Sequence, residues 1–166
     1  NNIQKNVEDE TMQTVKLQKI IDNYHLKNLT PDIDVTKIEI TMPDINRPAL
    51  QLAGYFDHFD HERVQVVGYV EYTYLEQLDK ERKEVIYDKL MSSNIPCIIF
   101  CRAMLPDVQC LEAANKYGVP VLSTETVTSS FMAEIIRWMN VQLAPCITIH
   151  GVLVDVYGEG VLIMGE

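Results

Sequence analysis

The chain has 166 residues, 47% of them hydrophobic, which suits one domain of ordinary size with enough apolar material for a core. Fourteen Lys and Arg stand against twenty-four Asp and Glu, a formal charge of −10. That balance excludes a general nucleic-acid binder and a polybasic membrane-surface protein, both of which need clustered cations.

No apolar run approaches the roughly 18–20 residues needed to cross a bilayer. The chain opens on Asn1 and has no apolar signal core, so residues 1–11 are expected to be disordered or cloning-derived. Thr14 to Leu26 carries Val15, Leu17, Ile20, Ile21 and Tyr24 at helical spacing. Val35 to Ile40 is β-branched and alternating and reads as one strand or two short ones. Pro43 to Pro48 reads as a break, followed by a short helix over Ala49–Gly54 with Pro48 at its first turn. Arg63 to Val70 reads as a strand, and Glu71–Leu78 and Lys80–Met91 as helices, the second with Val85, Ile86 and Leu90 on one side.

Pro96 to Arg102 predicts a buried strand. Pro106-Asp107 then opens a helix that Gly118 closes, with Glu112 and Lys116 four apart on it. Val119 to Leu122 is a short strand. Thr126 or a neighbour caps a helix to about Val141, whose apolar side includes Phe131, Ile135, Trp138 and Met139. This alternation predicts a layered α/β/α domain over residues 12–142 with a mixed, partly parallel sheet. Residues 143–166 follow as a linker and two apolar strands, Ile147–Tyr157 and Val161–Met164, joined by Gly158-Glu159-Gly160. These strands are expected to pair on the domain edge, pair with another copy, or stay mobile.

Cys97, Cys101, Cys110 and Cys146 form no C-x-x-C, and Cys97 and Cys101 stand roughly 13 Å apart if on one strand. They read as reduced, small apolar residues in a reducing, cytoplasmic compartment. His58 and His61 alternate with Asp57 and Asp60, but no third metal ligand is identifiable, so no metal site is expected. Asn46, Arg47 and the His58–His61 connector form a candidate recognition surface. Arg47 either grips an anion or pairs with a nearby carboxylate such as Asp44.

Val161-Leu162-Ile163-Met164-Gly165 is an apolar strand ending in Gly, as at the start of a phosphate-binding loop, G-x-x-x-x-G-K-[ST]. Thr148 to Glu166 as a whole resembles the stretch leading into that loop in bacterial HPr kinase/phosphorylases. Pro43 to Phe56 also resembles this family, as do Pro96–Phe100 and Gly118–Leu122 more weakly, in the same order and spacing. The resemblance implies an enzyme that phosphorylates a serine of the phosphocarrier HPr with ATP or pyrophosphate and Mg²⁺. It also implies removal of that phosphate by phosphorolysis, in control of sugar uptake and carbon catabolite repression. It further implies a hexamer, an amino-terminal domain similar to the first domain of Mur ligases, and a catalytic domain that contacts HPr. Carried over by position, His150 matches an active-site His, and Gly165 and Glu166 match the first two positions of the nucleotide loop. The loop Lys, the Mg²⁺ ligand and a catalytic Asp are expected beyond Glu166. This chain alone is thus expected to be inactive and to hold no cofactor. The alternative is a regulatory ligand-binding or oligomer-organising module.

Overall fold

The structure, a computed structural model, describes residues 9–11, 13–148, 154–156 and 159–161, with side chains for 13–145. Strand β1 (Asp9–Thr11) lies inside the leading segment expected to be disordered. β2 (Val15–Lys16) runs directly into α1 (Leu17–Tyr24). The expected helix from Thr14 therefore starts late, because Val15 and Lys16 pair antiparallel with Ile40 and Glu39. Helix α1 ends at His25, whose left-handed backbone (φ 51°) returns its N–H to Ile21 O. β3 (Lys27–Asn28) follows.

The expected strand over 35–40 is half correct. Asp34 accepts a hydrogen bond from Thr36 N at 3.0 Å, folding Val35–Lys37 into a 3₁₀ turn before β4 (Glu39–Ile40). The break at 43–48 contains β5 (Ile45–Asn46), since the prolines flank the strand and leave its ladder groups free. Then come α2 (Ala49–Leu52), β6 (Val64–Val67), α3 (Tyr69–Glu76) and α4 (Lys80–Met91). β7 (Ile98–Phe100), α5 (Val108–Tyr117), β8 (Val121–Ser123) and α6 (Thr128–Gln142) continue the alternation. Val127, not Thr126, sits at the start of α6, with no side-chain cap.

The main sheet has the order β3-β8-β7-β6-β5, parallel from β5 to β8 with β3 antiparallel on β8. It is mixed as expected, and its antiparallel member is β3. Strands β5 to β8 advance in one direction, so right-handed crossovers put every connecting helix on one face. Accordingly Leu52, Leu75, Ile86, Leu90, Cys110 and Ala114 pack with Val67, Ile98, Phe100 and Val121. The opposite strand positions, Val64, Val66, Ile99 and Leu122, meet Leu17 and Ile20 of α1 and Phe131, Ile135 and Met139 of α6. Three layers result. On α4, Val85 is exposed, and Tyr87 and Met91 join Ile86 and Leu90 in the core. Cys97 and Cys101 flank β7 on one face, unpaired and buried, and burial pushes the Cys97 thiol up to about 12.

β9 (Cys146–Thr148) pairs antiparallel with β1. β10 (Val154–Val156) and β11 (Glu159–Val161) form the expected hairpin, with Glu159 and Gly160 already in the strand.

Asp107 joins the α4 and α5 layer at one end. One carboxylate oxygen accepts from Cys110 N at 2.9 Å, capping α5. The other accepts from Tyr87 Oη at 3.2 Å and pairs with Lys83 at 3.2 Å. Tyr87 is buried, and that burial raises its phenol well above the ordinary range. At the far end of α5, Lys116 reaches Asp88 of α4 at 3.1 Å. Asp107→Ala should lose a cap worth about 1 kcal/mol and orphan a buried hydroxyl at about 1–3 kcal/mol. Urea denaturation should show a loss of about 2–4 kcal/mol, with Asp107→Asn costing half of that or less.

Candidate functional site

The carboxyl ends of β5 to β8 open on one edge of the sheet, where the following helices begin. Asn46, at the end of β5, donates from Nδ2 to Gln65 Oε1 at 2.7 Å and to Gln51 Oε1 at 3.1 Å. Gln65 Nε2 in turn donates to Arg63 O at 2.8 Å. Gln51 and Gln65 are buried, so this amide chain satisfies polar groups that would otherwise be costly. Asn46 therefore stitches β5, α2 and β6 together.

Arg47 Nη2 donates to Glu71 Oε2 at 2.7 Å. The same oxygen accepts from Gly68 N at 3.0 Å, so Glu71 also caps the helix it stands on. The carboxylate partner expected for Arg47 was a neighbour such as Asp44. The structure supplies Glu71, brought close by the parallel β5–β6 pairing. Glu71 is 3% exposed against 37% for Arg47, so the pair is buried on the acidic side only. Gly68 has an ordinary backbone (φ −104°); its lack of a side chain serves packing. A Cβ there would lie 2.5 Å from Arg47 Nη2 and 2.9 Å from Thr128 Cγ2.

Beside this junction lies the buried Cys101, its thiol pushed up to about 11. Burial is the main cause, opposed by Thr128 and by the charges of Arg47 and Arg102. The Thr128 hydroxyl is buried without a hydrogen bond of good geometry to any described residue, the neighbouring thiol included. A protonated, buried thiol is a poor nucleophile, and Arg47 is already held by Glu71. Arg47, Glu71, Gly68 and Thr128 therefore form a packing junction between the starts of α3 and α6.

The expected surface joining Asn46 and Arg47 to His58–His61 does not form. His61 Nδ1 stands 3.3 Å from Asn94 O, ahead of β7. The connector thus runs along the amino edge of the sheet, opposite the β5 carboxyl end. Among the described residues no three His, Cys, Asp or Glu side chains are grouped to hold a metal. His150, Gly165 and Glu166 lie outside the described residues.

Residues 15–139 match the family described as HPr Serine kinase N terminus. The HPr kinase/phosphorylase of Lachnoclostridium phytofermentans is 56% identical over 155 residues, covering 93% of this chain and 50% of that protein. That of Alkaliphilus metalliredigens is 39% identical with the same coverage. That of Caldicellulosiruptor bescii is 43% identical over 89% of this chain and 48% of its own. The chain spans about half the length of these relatives. Among solved structures, the CBS and DRTGG domains of the regulatory region of Clostridium perfringens pyrophosphatase, complexed with diadenosine tetraphosphate, align at 16% identity and TM-score 0.49. That alignment covers 78% of this chain and 47% of that one.

Gly68→Ala should cost about 1–3 kcal/mol by overpacking against Arg47 and Thr128. In an Arg47→Ala background the same substitution should cost less, and a double-mutant cycle read by denaturant melts measures that coupling.

Proposed function

The chain belongs to the HPr serine kinase N-terminal family, and from that membership we propose that it is the amino-terminal, non-catalytic half of a bifunctional HPr kinase/phosphorylase. One observation carries the reading: 93% of the chain aligns at 56% identity with a protein of that name, yet takes up only 50% of it. In this reading the whole protein phosphorylates a serine of HPr with ATP or pyrophosphate and Mg²⁺. It reverses the reaction with inorganic phosphate, as a cytoplasmic hexamer controlling sugar uptake and carbon catabolite repression.

Phosphoryl transfer rests on positioning and on charge stabilisation by a Lys, Mg²⁺ and backbone donors, with a carboxylate to take the hydroxyl proton. Among the described residues no three His, Cys, Asp or Glu side chains gather, and Arg47 is held by Glu71. The reading therefore assigns ATP and Mg²⁺ to the second half of the protein. Within this chain it leaves only His150 as a proton-handling or phosphate-contacting group, and Gly165 and Glu166 as the first positions of the nucleotide loop. The other residues serve as a folded α/β module attached to that machinery.

The test compares three polypeptides with purified HPr, using phosphoserine-resolved electrophoresis. The full-length protein should phosphorylate HPr with ATP or pyrophosphate and reverse the reaction with phosphate. A version lacking residues 1–142 should retain both reactions. The 166-residue chain alone should give no phosphoserine. Transfer by the isolated chain, or none by the full-length protein, would overturn the reading.

A further inference from the structure

The amino edge of the sheet holds a crevice of about 410 Å³. Its volume falls within the roughly 300–1,000 Å³ typical of small-molecule sites. Segments distant in sequence wall it. Glu39 comes from β4, and Glu62 from the connector that runs ahead of β6. Helices α4 and α5 both end on it, at Met91 and Tyr117. Met91, with Ile95 ahead of β7 and Val119 ahead of β8, is buried, and the three give the crevice an apolar floor.

The charge of this lining has one sign. Glu39 and Glu62 are its charged side chains, and no Lys, Arg or His lines it. The carbonyl ends of two helices add negative partial charge at the same place. The basic residues of those last turns are engaged elsewhere. Lys89 of α4 lies 4.5 Å over the Phe56 ring, and Lys116 of α5 reaches Asp88 at 3.1 Å. Lys16 stands opposite Glu39 in the β2–β4 ladder but makes no ion pair with it. Among the described residues no ion pair includes Glu39 or Glu62. His61 adjoins Glu62 but lies outside the lining, with its Nδ1 at Asn94 O.

That chemistry selects among ligands. An alkylammonium group has three donors and no acceptor, so it suits carboxylates and helix-end carbonyls together. A ligand that also carried a carboxylate or a phosphate would set an anion against a lining that holds no cation. A hydrated metal ion is met by hard oxygen ligands and gains nothing from a floor of buried apolar side chains. A methylene chain does gain from it, as the stem of a lysine does along apolar surface. The two carboxylates come from separate segments, β4 and the connector, which suits two ammonium groups at the ends of one flexible stem.

We propose that the crevice at the amino edge, between the ends of α4 and α5, binds an aliphatic diamine or polyamine. One ammonium group lies at Glu62 and another at Glu39, and the methylene chain lies over Met91, Ile95 and Val119. The site stands on this lining and not on the proposed function, and it would make the domain responsive to a cationic effector.

The test uses the 166-residue chain in calorimetric and amide-NMR titrations with 1,4-diaminobutane, spermidine, L-lysine and magnesium chloride. A background of about 0.15 M salt screens diffuse attraction to the acidic surface. At least one of the two amines should bind saturably, one per chain, and about tenfold or more tighter than L-lysine or Mg²⁺, as loss of one charge-assisted contact implies. Its largest amide shifts should fall at Glu39, Glu62, Asn94 and Val119. Glu62→Gln, at an exposed position, should weaken that binding about tenfold with an unchanged Tm of the free protein. Glu39→Gln should weaken it likewise, and Glu112→Gln on α5, outside the lining, should leave it unaltered. No saturable binding of either amine would overturn the proposal. So would L-lysine or Mg²⁺ binding as tightly, shifts centred elsewhere, or Glu112→Gln weakening binding as much as Glu62→Gln.

Discussion

The handedness of parallel crossovers sets the architecture. Strands β5, β6, β7 and β8 lie side by side in chain order, so each right-handed connection returns on the same face, carrying α2, α3 with α4, and α5. The other face holds Val64, Val66, Ile99 and Leu122 and cannot be left to water. Each such side chain is worth about 1.5–3 kcal/mol on full burial. Only elements outside the crossovers can cover that face, and α1 before the sheet and α6 after it do so. The change of face between α5 and α6 is thus imposed by the need to close a second core, and it leaves a crevice beside β8, lined by Tyr24, Lys27, Leu105 and Thr124.

The carboxyl edge is divided between two uses. Around β5 and β6 it is filled: Arg47, Glu71 and the amides of Asn46, Gln51 and Gln65 satisfy one another, and Gly68 lets two helix starts approach. Removing one member of such a pair is costly because the other is left without its partner. Around β7 and β8 it is open, with hydroxyls, a lysine and an aromatic ring facing solvent space. The filled half fixes the relative positions of α3 and α6 and so helps to hold the walls of the open half.

The sequence made the layers legible because their signals are local. Asp107 and Gly118 bound α5 as expected, and the apolar residues of α6 fall in the core, with Trp138 half-buried beside Tyr24. The misread places depend on distant partners. Val15 and Lys16 leave the helix because Ile40 and Glu39 lie alongside. Ile45 and Asn46 become strand because β6 runs beside them. Val35–Lys37 turns because the Asp34 side chain competes with strand pairing, a signal that was present and could have been read. Arg47 was singled out correctly as a residue with an anionic partner, but Glu71 looks like an ordinary first-turn acid until parallel pairing brings the two together. Nothing local in Tyr24, His25, Lys27 or Thr124 foretells that they share one crevice, because α1, β3 and β8 meet only in the folded sheet.

The antiparallel pairing of β1 with β9 has a mechanical consequence. Asp9 faces Thr148 at the outer end of the ladder, and Thr11 faces Cys146 at the inner end. Paired strands are only about 4.8 Å apart, so the polypeptide enters and leaves the α/β body through nearly the same point. Tension between the flanking segments would then open three residue pairs in succession, as a zipper, before reaching the layers. The ladder would act as a fuse, yielding first and leaving the packed body intact.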